Sequence, residues 1–511
     1  MPLSEYLITA LNLLAALFVV AIGLGLLAVL AMYVIDISQT SQAIRRNYPV
    51  IGRFRYVFEH LGTFFRQYFF AMDREELPFN RAERSWVYRA AKNVDSTVPF
   101  GSTRDLRHPG TVFFVNCAFP ALDTDTAAPR PICFGPDCAT PYTNAAIFNI
   151  SGMSYGAISR PAVLALSNGA RMAGCWMNTG EGGLSPYHLE GGADLVFQIG
   201  TAKYGVRDAQ GRLDDEKLRA VAAHPQVRMF ELKLSQGAKP GKGGILPGAK
   251  VTAEIARIRG IPVHVDSISP NRHAEIATVG ELLDMIGHIR ALTGKPTGFK
   301  LVVGDGRFFD ELCAEILRRG AAAAPDFITV DGAEGGTGAA PMSLLDNMGM
   351  PLREALPLLA DKLIEYGLRE RVKVVASGKL VNPAEVAWAL CMGADAVVSA
   401  RAFMFALGCI QALQCNKDTC PTGIATHNPH LQKGLDPRNK ALRVMNLVQN
   451  LHREVGMIAH ACGVAAPRQL SRAHARMVQP NGTSTPLDQL FPEPQPRPHA
   501  VAGEAHPART R

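Results

Sequence analysis

Short runs of β-branched and aromatic residues recur through the middle of the chain, and each run ends in a polar or glycine-rich stretch. Amphipathic stretches such as "GELLDMIGHIRALTG" separate the runs, and strands that alternate with helices predict a parallel sheet. Eight such runs within about 250 residues predict a (β/α)8 barrel. An open doubly wound sheet is the alternative, but it favours an early GxGxxG phosphate-binding motif, which this part of the chain lacks. The runs are "AIFNIS", "CWMNTGEGG", "RMFELKLSQGA", "IPVHVDSISP", "TGFKLVVG", "DFITVDGAEGGTGAA", "VKVVASGKL" and "DAVVSARA".

The segment from Tyr6 to Ile35 contains no charged residue. A membrane-spanning helix needs roughly 20 apolar residues, so this segment is long enough to cross a bilayer. A cleaved signal peptide would begin with positive charge, whereas this terminus carries Glu5. By the positive-inside rule, the arginines that follow the segment predict a single-pass membrane protein whose catalytic domain is cytoplasmic. Those arginines are Arg45, Arg46, Arg53 and Arg55.

Composition divides the chain into four parts. We predict a transmembrane anchor over residues 1–36, a membrane-proximal segment and lead-in over 37–145, the barrel over 146–475 and a disordered tail over 476–511. The aromatic and basic stretch "RFRYVFEHLGTFFRQYFF" suits a membrane–water interface, although a helix packed on the main domain explains it equally well. The tail is rich in proline and small residues, which cannot bury enough surface to fold alone. The net charge is +8, but the basic residues are scattered, so nucleic-acid binding is not predicted.

Active sites of (β/α)8 barrels form at the carboxyl ends of the strands, and the loops after the last two strands commonly bind phosphate. Glycines there let backbone N–H groups approach an anion closely. The residues that we place on a phosphate are Ser377, Gly378, Ala400 and Arg401. A second set could approach the phosphate or ribityl side of a flavin: Gly335, Gly336, Thr337 and Gly338. A tight turn is the alternative for any single glycine pair.

Lysines at two strand ends point to charged ligands. In "KLSQGAKPGKGGILPGAK", a long polar loop, Lys233, Gln236 and Lys250 could clamp a dicarboxylate, and a solvated loop is the alternative. Lys300 ends an otherwise apolar run, and a barrel interior does not bury lysine without a partner. We therefore expect Lys300 beside a flavin ring, where it would stabilise the anionic reduced state, or else on the surface.

Three of the ten cysteines, Cys409, Cys415 and Cys420, lie within twelve residues and are followed by a proline. In the reducing cytosol such a group is more often metal-binding or catalytic than disulfide-bonded. Three thiolates suit a [3Fe–4S] cluster, which has one iron corner without a protein ligand. His427 could instead complete a Cys3His zinc site.

Residues from about 146 to 470 resemble the FMN-binding synthase domain of glutamate synthase. The motifs that carry the resemblance, in order, are "SGMSYGAIS", "NTGEGG", "SQGAKPGKGGILPGAKV", "SISPNRH", "FKLV", "GAEGGTGAAP" and "GCIQALQCNKDTCPTGIAT". The resemblance implies a (β/α)8 barrel that binds FMN and a [3Fe–4S] cluster, the latter on Cys409, Cys415 and Cys420. It implies that ammonia condenses with 2-oxoglutarate to 2-iminoglutarate, which reduced FMN converts to L-glutamate by hydride transfer.

The resemblance also implies residue roles. Gln236, Lys250 and Ser269 would bind the substrate, and Ser154 would contact the cofactor. The residues implied in catalysis are Glu181, Lys233, Gln236 and Lys300. Two positions depart from the pattern: Lys242 stands where many relatives have glutamate, and "NRH" after Pro270 replaces a proline-rich run.

Full glutamate synthases also contain a cysteine-nucleophile glutaminase domain and a β-helix domain, which we do not find in the sequence. The resemblance therefore implies a separate electron donor, a ferredoxin or reductase subunit, together with free ammonia or a separate glutaminase subunit. It is compatible with an oligomer. The alternative function is a membrane-anchored FMN/iron–sulfur electron-transfer protein without amination activity, and a zinc-stabilised barrel with an unrelated substrate is a third.

Overall fold

The structure is a computed structural model and describes residues 3–127 and 129–497. The chain forms two compact units, Met1–Ala82 and Glu83–Arg511. The first unit contains three helices that follow one another closely: α1 (Leu3–Ser38), α2 (Ala43–Asn47) and α3 (Gly52–Phe65), which continues into a π-helical turn at Arg66–Phe70.

Helix α1 contains the uncharged segment that the sequence predicts as a membrane span. Within the described residues it is the one helix that is long and apolar enough to cross a membrane, and its apolar window is not buried by protein. The predicted long apolar N-terminal helix is therefore confirmed. That it anchors the chain in a membrane, with a cytoplasmic domain, stays a prediction, because a signal sequence also places an apolar helix near the N-terminus.

The second unit contains a closed barrel of parallel strands, eight of them in the described part of the chain. Each strand pairs with its neighbours in sequence order, and the last strand pairs with the first to close the ring. This confirms the predicted (β/α)8 architecture. The strands are β1 (Phe148–Ile150), β2 (Met177–Asn178), β3 (Leu195–Ile199), β4 (Val227–Lys233), β5 (Thr297–Leu301), β6 (Phe327–Asp331), β7 (Lys373–Ser377) and β8 (Ala396–Ser399).

One predicted strand is wrong, and one strand was not predicted. The run "IPVHVDSISP" contributes only Ser267–Ile268, which pairs with Ile245–Leu246 outside the barrel. Its Val263, Val265 and Ile268 are exposed. The missing strand is β3, whose five residues are all buried. The lysine-rich loop therefore follows β4, the fourth strand, and "SISPNRH" belongs to the same long excursion.

Helices connect the strands and cover the outside of the barrel. Beyond the strands already given, the described residues form short strands at Val112–Phe114, Ile132–Phe134, Tyr142–Asn144, Ala475–Val478 and Ser484–Pro486. The remaining helices are α4 (Arg81–Lys92), α5 (Arg160–Ala173), α6 (Pro186–Glu190), α7 (Asp215–Ala222), α8 (Ala253–Arg259), α9 (Val279–Thr293), α10 (Arg307–Arg319), α11 (Met342–Leu345), α12 (Leu352–Glu365), α13 (Pro383–Cys391), α14 (Arg401–Leu407), α15 (Pro429–Gln432), α16 (Pro437–Ala461) and α17 (Leu487–Leu490).

A hairpin formed by Ile132–Phe134 and Tyr142–Asn144 closes the amino end of the barrel. Phe134 packs edge-on against Trp176 and Phe327, with ring centroids 5.5 and 5.8 Å away. These rings lie at the starts of β2 and β6. Because this end is filled with apolar side chains, the polar residues collect at the carboxyl end.

The prediction of a disordered tail is wrong for residues 476–490. Ala475–Val478 pairs with Val112–Phe114 and with Ser484–Pro486, and α17 follows with Leu487 fully buried. The pairing partner lies more than 300 residues earlier in the chain, so local composition could not reveal it. Residues 498–511 of the predicted tail lie outside the described residues.

Candidate active site

Two adjoining cavities lie at the carboxyl ends of the barrel strands and share several wall residues, among them Lys233, Gln236 and Arg401. We call the first the lysine cavity; its predicted residues are Ser154, Glu181, Lys233, Gln236, Ser269, Gly336, Thr337, Gly338, Ala400, Arg401 and Cys415. We call the second the glycine cavity; its predicted residues are Lys233, Gln236, Lys300, Gly335, Gly336, Ser377, Gly378, Ala400 and Arg401. Residues from all seven of the motifs quoted above therefore meet in one place.

The glycine cavity has a wall of backbone that leaves no room for side chains. A Cβ atom on Gly378 would lie 3.0 Å from the backbone nitrogen of Gly332, and Gly378 has a φ of +139°, which favours glycine. A Cβ atom on Gly336 would lie 2.8 Å from Nε of Arg401. Exposed backbone beside a guanidinium is the arrangement that binds a phosphate group. The residues present therefore fit the phosphate end of a flavin nucleotide.

Lys300 is buried at the end of β5 and has the partner that its burial requires. Its ammonium lies 3.1 Å from a carboxylate oxygen of Asp331 at the end of β6. Asp331 also accepts hydrogen bonds from the Ser377 hydroxyl at 2.8 Å and from the Gly237 backbone N–H at 2.9 Å. Burial disfavours the charged lysine, but Asp331 and Glu231 outweigh burial and raise the pKa of Lys300. A fixed positive charge thus lines the glycine cavity.

Beneath the cavities, Glu231 organises amide side chains inside the barrel. Its carboxylate accepts hydrogen bonds from Asn178, Gln198 and Thr329 at 2.8, 2.7 and 2.7 Å. Gln198 lines both cavities, and it lies on β3, the strand that the sequence analysis missed. The network fixes which way the Gln198 amide points.

A polar chain joins the two cavities. The Lys233 ammonium donates to Glu181 at 2.8 Å and also to the side-chain oxygen of Gln236. The amide nitrogen of Gln236 donates to the hydroxyl of Thr337 at 3.0 Å. Burial would raise the pKa of Glu181, but Lys233, followed by Lys239 and Arg259, holds this pKa below its ordinary value. Glu181 is therefore a carboxylate hydrogen-bonded to Lys233, a pair that can act in proton transfer.

Two cations of the lysine cavity were not predicted from the sequence. Lys239 is 3% exposed, and its ammonium makes no hydrogen bond or ion pair with any described residue. Burial, and then the charge of Lys233, lower the pKa of Lys239 to about 8. Arg259, from α8, donates to the Ser154 hydroxyl at 3.2 Å and leaves its Nε without a partner. Together with Lys233 and Arg401, these cations outnumber Glu181 and make the cavity attractive to anions.

The glycine pair Gly243–Gly244 lets the lysine-rich loop reach the cavity. A Cβ atom on Gly244 would overlap a carboxylate oxygen of Glu181, and one on Gly243 would overlap the Ser269 carbonyl. The Ser269 backbone N–H donates to the Gly244 carbonyl at 2.9 Å. Ser269 thereby lines the lysine cavity, and its role as a substrate-binding residue stays a prediction.

Lys250 does not reach the cavity, which corrects its predicted placement. Its buried ammonium donates to the backbone carbonyls of Ala157, Ala425 and Cys415 at 2.6, 3.1 and 3.3 Å. All three acceptor residues line the lysine cavity, whereas Lys250 lies behind them. Lys250 is the last residue of the 3₁₀ turn Gly248–Lys250. Lys250 therefore supports the cavity wall.

The loop of Cys409, Cys415 and Cys420 forms part of that wall. The charges of Cys415 and Cys420 contribute to raising the pKa of Cys409, after burial. Burial acts against ionisation of Cys420, but hydrogen bonds led by the Thr422 hydroxyl hold its pKa below the ordinary value. Arg401 Nη1 lies 4.0 Å from the Cys415 sulfur. The loop thus places the guanidinium of Arg401 close to one of the three thiols.

Metal-ligand geometry is absent from this loop in the structure. Within residues 3–127 and 129–497, no three His, Cys, Asp or Glu side chains form a group that could hold a metal ion. His427, the candidate fourth zinc ligand, instead has Nε2 2.9 Å from the Gly156 carbonyl. The cluster and the zinc site therefore remain predictions from the sequence.

Comparison with known proteins agrees with the motifs. A family model described as "Conserved region in glutamate synthase" matches residues 129–465, about two thirds of the chain. The chain belongs to the glutamate synthase family. The barrel is accordingly the fold of a glutamate synthase-like family of flavin oxidoreductases.

The relatives differ in how much of this chain, and of their own length, the similarity covers. The glutamate synthase large subunit-like protein YerD of Bacillus subtilis is 40% identical over 499 residues, 90% of this chain and 94% of that protein. An archaeal-type glutamate synthase [NADPH] of Thermotoga maritima is 37% identical over 322 residues, 63% of this chain and 60% of that protein. Among solved structures, the recombinant flavin-binding domain of baker's yeast flavocytochrome b2 is 14% identical with a TM-score of 0.45, covering 83% of this chain and 86% of that one.

Proposed function

We propose that this protein catalyses the reductive amination of 2-oxoglutarate by ammonia to L-glutamate, with electrons delivered by bound FMN. The observation that carries the proposal is the Lys239 ammonium, which has no partner among the described residues and shares a cavity with the Glu181–Lys233 pair. That cavity adjoins the glycine cavity, where a flavin nucleotide fits. An anionic substrate and a redox cofactor would therefore meet at a proton-transferring pair.

The carboxylates of the substrate would supply negatively charged partners for the cations of the lysine cavity. A buried ammonium without a partner is costly, and a carboxylate within hydrogen-bond distance of Lys239 would offset that cost. Arg259 lines the same cavity and would be a second cationic contact. The amide of Gln236 and the Ser269 backbone region line the remaining wall. A substrate with two carboxylates matches two cations better than a substrate with one.

The chain's own residues would move the protons of the first step. The ammonia nitrogen forms a bond to C2 of the 2-oxo acid, and the carbonyl oxygen leaves as water. The nitrogen loses two protons in this step and the oxygen gains two. Glu181, a carboxylate whose pKa is held low, would take each proton from the nitrogen. Lys233, hydrogen-bonded to Glu181, would give each proton to the departing oxygen and regain it from Glu181. The product of this step is 2-iminoglutarate.

The second step reduces the imine. FMN, when bound, supplies a hydride, that is two electrons and one proton, to C2, and the nitrogen takes a further proton. Ser377, Gly378, Ala400 and Arg401 would hold the phosphate, and the loop of Gly335, Gly336, Thr337 and Gly338 would lie along the ribityl chain. Lys300, kept protonated by Asp331, would stand beside the ring and favour its anionic form.

The source of electrons is a further part of the proposal. We infer that Cys409, Cys415 and Cys420 would hold a [3Fe–4S] cluster, a group able to supply FMN with electrons from a separate donor, a ferredoxin or a reductase subunit. Support comes from the three thiols of one loop, the lowered pKa of Cys420 and the cations beside them. Ammonia would come from solution or from a separate glutaminase subunit. We also propose that α1 anchors the protein in a membrane with the barrel in the cytoplasm.

The test is a half-reaction with purified protein. The chain is purified anaerobically in detergent, its flavin and iron are measured, and the flavin is reduced with dithionite. We expect reoxidation only when 2-oxoglutarate and ammonium are both added, with L-glutamate formed in equal amount to the flavin oxidised. A Glu181→Gln variant should retain FMN but reoxidise slowly, because it cannot accept the proton.

Other outcomes would contradict the proposal. If the protein contains flavin and iron but 2-oxoglutarate and ammonium do not reoxidise the flavin, the protein is an electron-transfer protein without amination activity. Zinc in place of iron would refute the cluster, and reoxidation by a different oxo acid alone would refute the substrate.

A further inference from the structure

Helix α3 carries a continuous apolar face that no described residue covers. Phe54, Phe58, Leu61 and Phe65 recur at the spacing that places side chains on one side of a helix, and we call them the aromatic face. All four are exposed, Phe58 by 66%. The face continues into the π-helical turn, where Tyr68 and Phe69 are also exposed: the rings of Phe64 and Tyr68 lie 4.7 Å apart, and those of Phe65 and Phe69 lie 5.5 Å apart.

The other side of the same helix is polar. Glu59 and Thr63 lie opposite the aromatic face, and Arg55 and Arg66 lie at its border, since each residue turns the helix by about 100°. These four side chains are exposed. Arginines that flank an apolar face are typical of helices that lie in the plane of a membrane, where they contact anionic headgroups.

A buried ion cluster ties the start of α3 to the end of α1. Asp36 is fully buried and accepts hydrogen bonds from Arg45 at 2.6 Å and from Arg53 at 2.8 Å. The Val50 backbone N–H donates to the same carboxylate at 3.0 Å. Removing one member of such a charge cluster is strongly destabilising, so the ion pair between Arg53 and Asp36 keeps the start of α3 next to the end of the apolar segment of α1. If α1 crosses a bilayer, that point is its surface.

We propose that α3 and its π-helical turn lie in the surface of an anionic bilayer, on the side where α1 ends, with the aromatic face toward the acyl chains. The occupant of the face is lipid because the face is continuous with α1, is rich in aromatic residues suited to the interface, and is bordered by arginines. The membrane then holds the first unit by two helices of different orientation. This inference does not depend on the reaction of the barrel.

Tryptophan fluorescence of the full-length protein in nanodiscs tests the proposal. Phe58→Trp places an indole on the aromatic face, and Thr63→Trp places one on the opposite side of the same helix. Each is measured in discs with and without brominated acyl chains, which quench tryptophan on contact. The unsubstituted protein, with its own three tryptophans, supplies the background. We expect most of the added emission of Phe58→Trp to be quenched, and little of that of Thr63→Trp.

The outcomes are distinguishable. Equal quenching of the two variants would overturn the proposed orientation, and quenching of neither would show that protein rather than lipid covers the face. Discs of neutral lipid should quench Phe58→Trp less than anionic discs. Equal quenching in both lipids would refute the role of the arginines. None of these results depends on FMN or on glutamate formation.

Discussion

Replacing Lys250 tests whether this residue supports the cavity from behind or binds substrate. In Lys250→Met the stem keeps its length and apolar character, but the carbonyls of Ala157, Ala425 and Cys415 lose their shared donor. A hydrogen bond to a charged group contributes about 1.5–3 kcal/mol. Three such bonds at the low end give about 4 kcal/mol, and burial, which lowers the pKa of Lys250 to about 8, takes back part of it. We expect a loss of about 3 kcal/mol in the local stability of the wall.

Hydrogen–deuterium exchange of the full-length protein measures this loss where it occurs. Exchange through local opening follows the free energy of that opening, so about 3 kcal/mol corresponds to roughly 100-fold faster exchange. The acceleration should be confined to peptides that cover 154–160 and 415–428. Peptides from β7 should be unchanged. The readout does not require turnover, so it separates support of the wall from substrate binding.

Two matched variants sharpen the interpretation. Lys250→Gln retains two N–H donors and should give an intermediate acceleration. Lys242→Met removes a lysine of the same loop that donates no side-chain hydrogen bond to a described residue, and should leave exchange at 415–428 unchanged. If Lys250→Met exchanges like the unsubstituted protein but raises the KM for 2-oxoglutarate, the reasoning fails and Lys250 is a substrate ligand.

Three further predictions concern the site. Lys239→Met should raise the KM for 2-oxoglutarate about 30-fold or more, because truncating one partner of a buried charge pair costs about 2–5 kcal/mol. Since the pKa of Lys239 is lowered to about 8, kcat/KM of the unsubstituted protein should fall as pH rises through that value. If Lys239→Met shows the same fall in kcat/KM, the assignment is wrong. Gly378→Ala should weaken FMN binding about fivefold or more, because strained backbone costs about 1–3 kcal/mol. Gly304→Ala, whose Cβ meets nothing within 4 Å, should bind FMN normally in the same absorbance titration. Replacing Cys409, Cys415 or Cys420 by serine should abolish bound iron, measured by elemental analysis, whereas Cys462→Ser, the control, should keep it. Full iron content in one of the three variants would rule out that cysteine as a ligand.

Local sequence was enough to predict most of the barrel. Seven of the eight predicted runs coincide with strands of the described structure, because each joins β-branched or aromatic residues to a glycine or polar residue at its end. Strand β3 was missed because a short, fully buried run has no alternation to distinguish it. "IPVHV" has strand composition but is exposed, and strand preference depends on a surface to pack against, which the sequence does not show.

The candidate site was predicted less completely, for a related reason. The motifs identify Glu181, Lys233 and Gln236, which lie at or just after the ends of β2 and β4 and meet in the structure. Lys239 and Lys250 belong to the same loop and have the same chemistry, so the sequence offers no means to tell which one faces a ligand. Arg259 lies in a helix with no motif of its own.

The sequence by itself therefore determined most of the barrel strands, their glycine-rich ends and the apolar N-terminal helix, because each depends on residues that are neighbours in the chain. The tertiary structure alone decided which charged groups face a ligand. Lys250 is surrounded by carbonyls from positions 157, 415 and 425, whereas Lys239 is left without a partner among the described residues. Those distances exist only after the barrel has closed and brought segments far apart in sequence into contact.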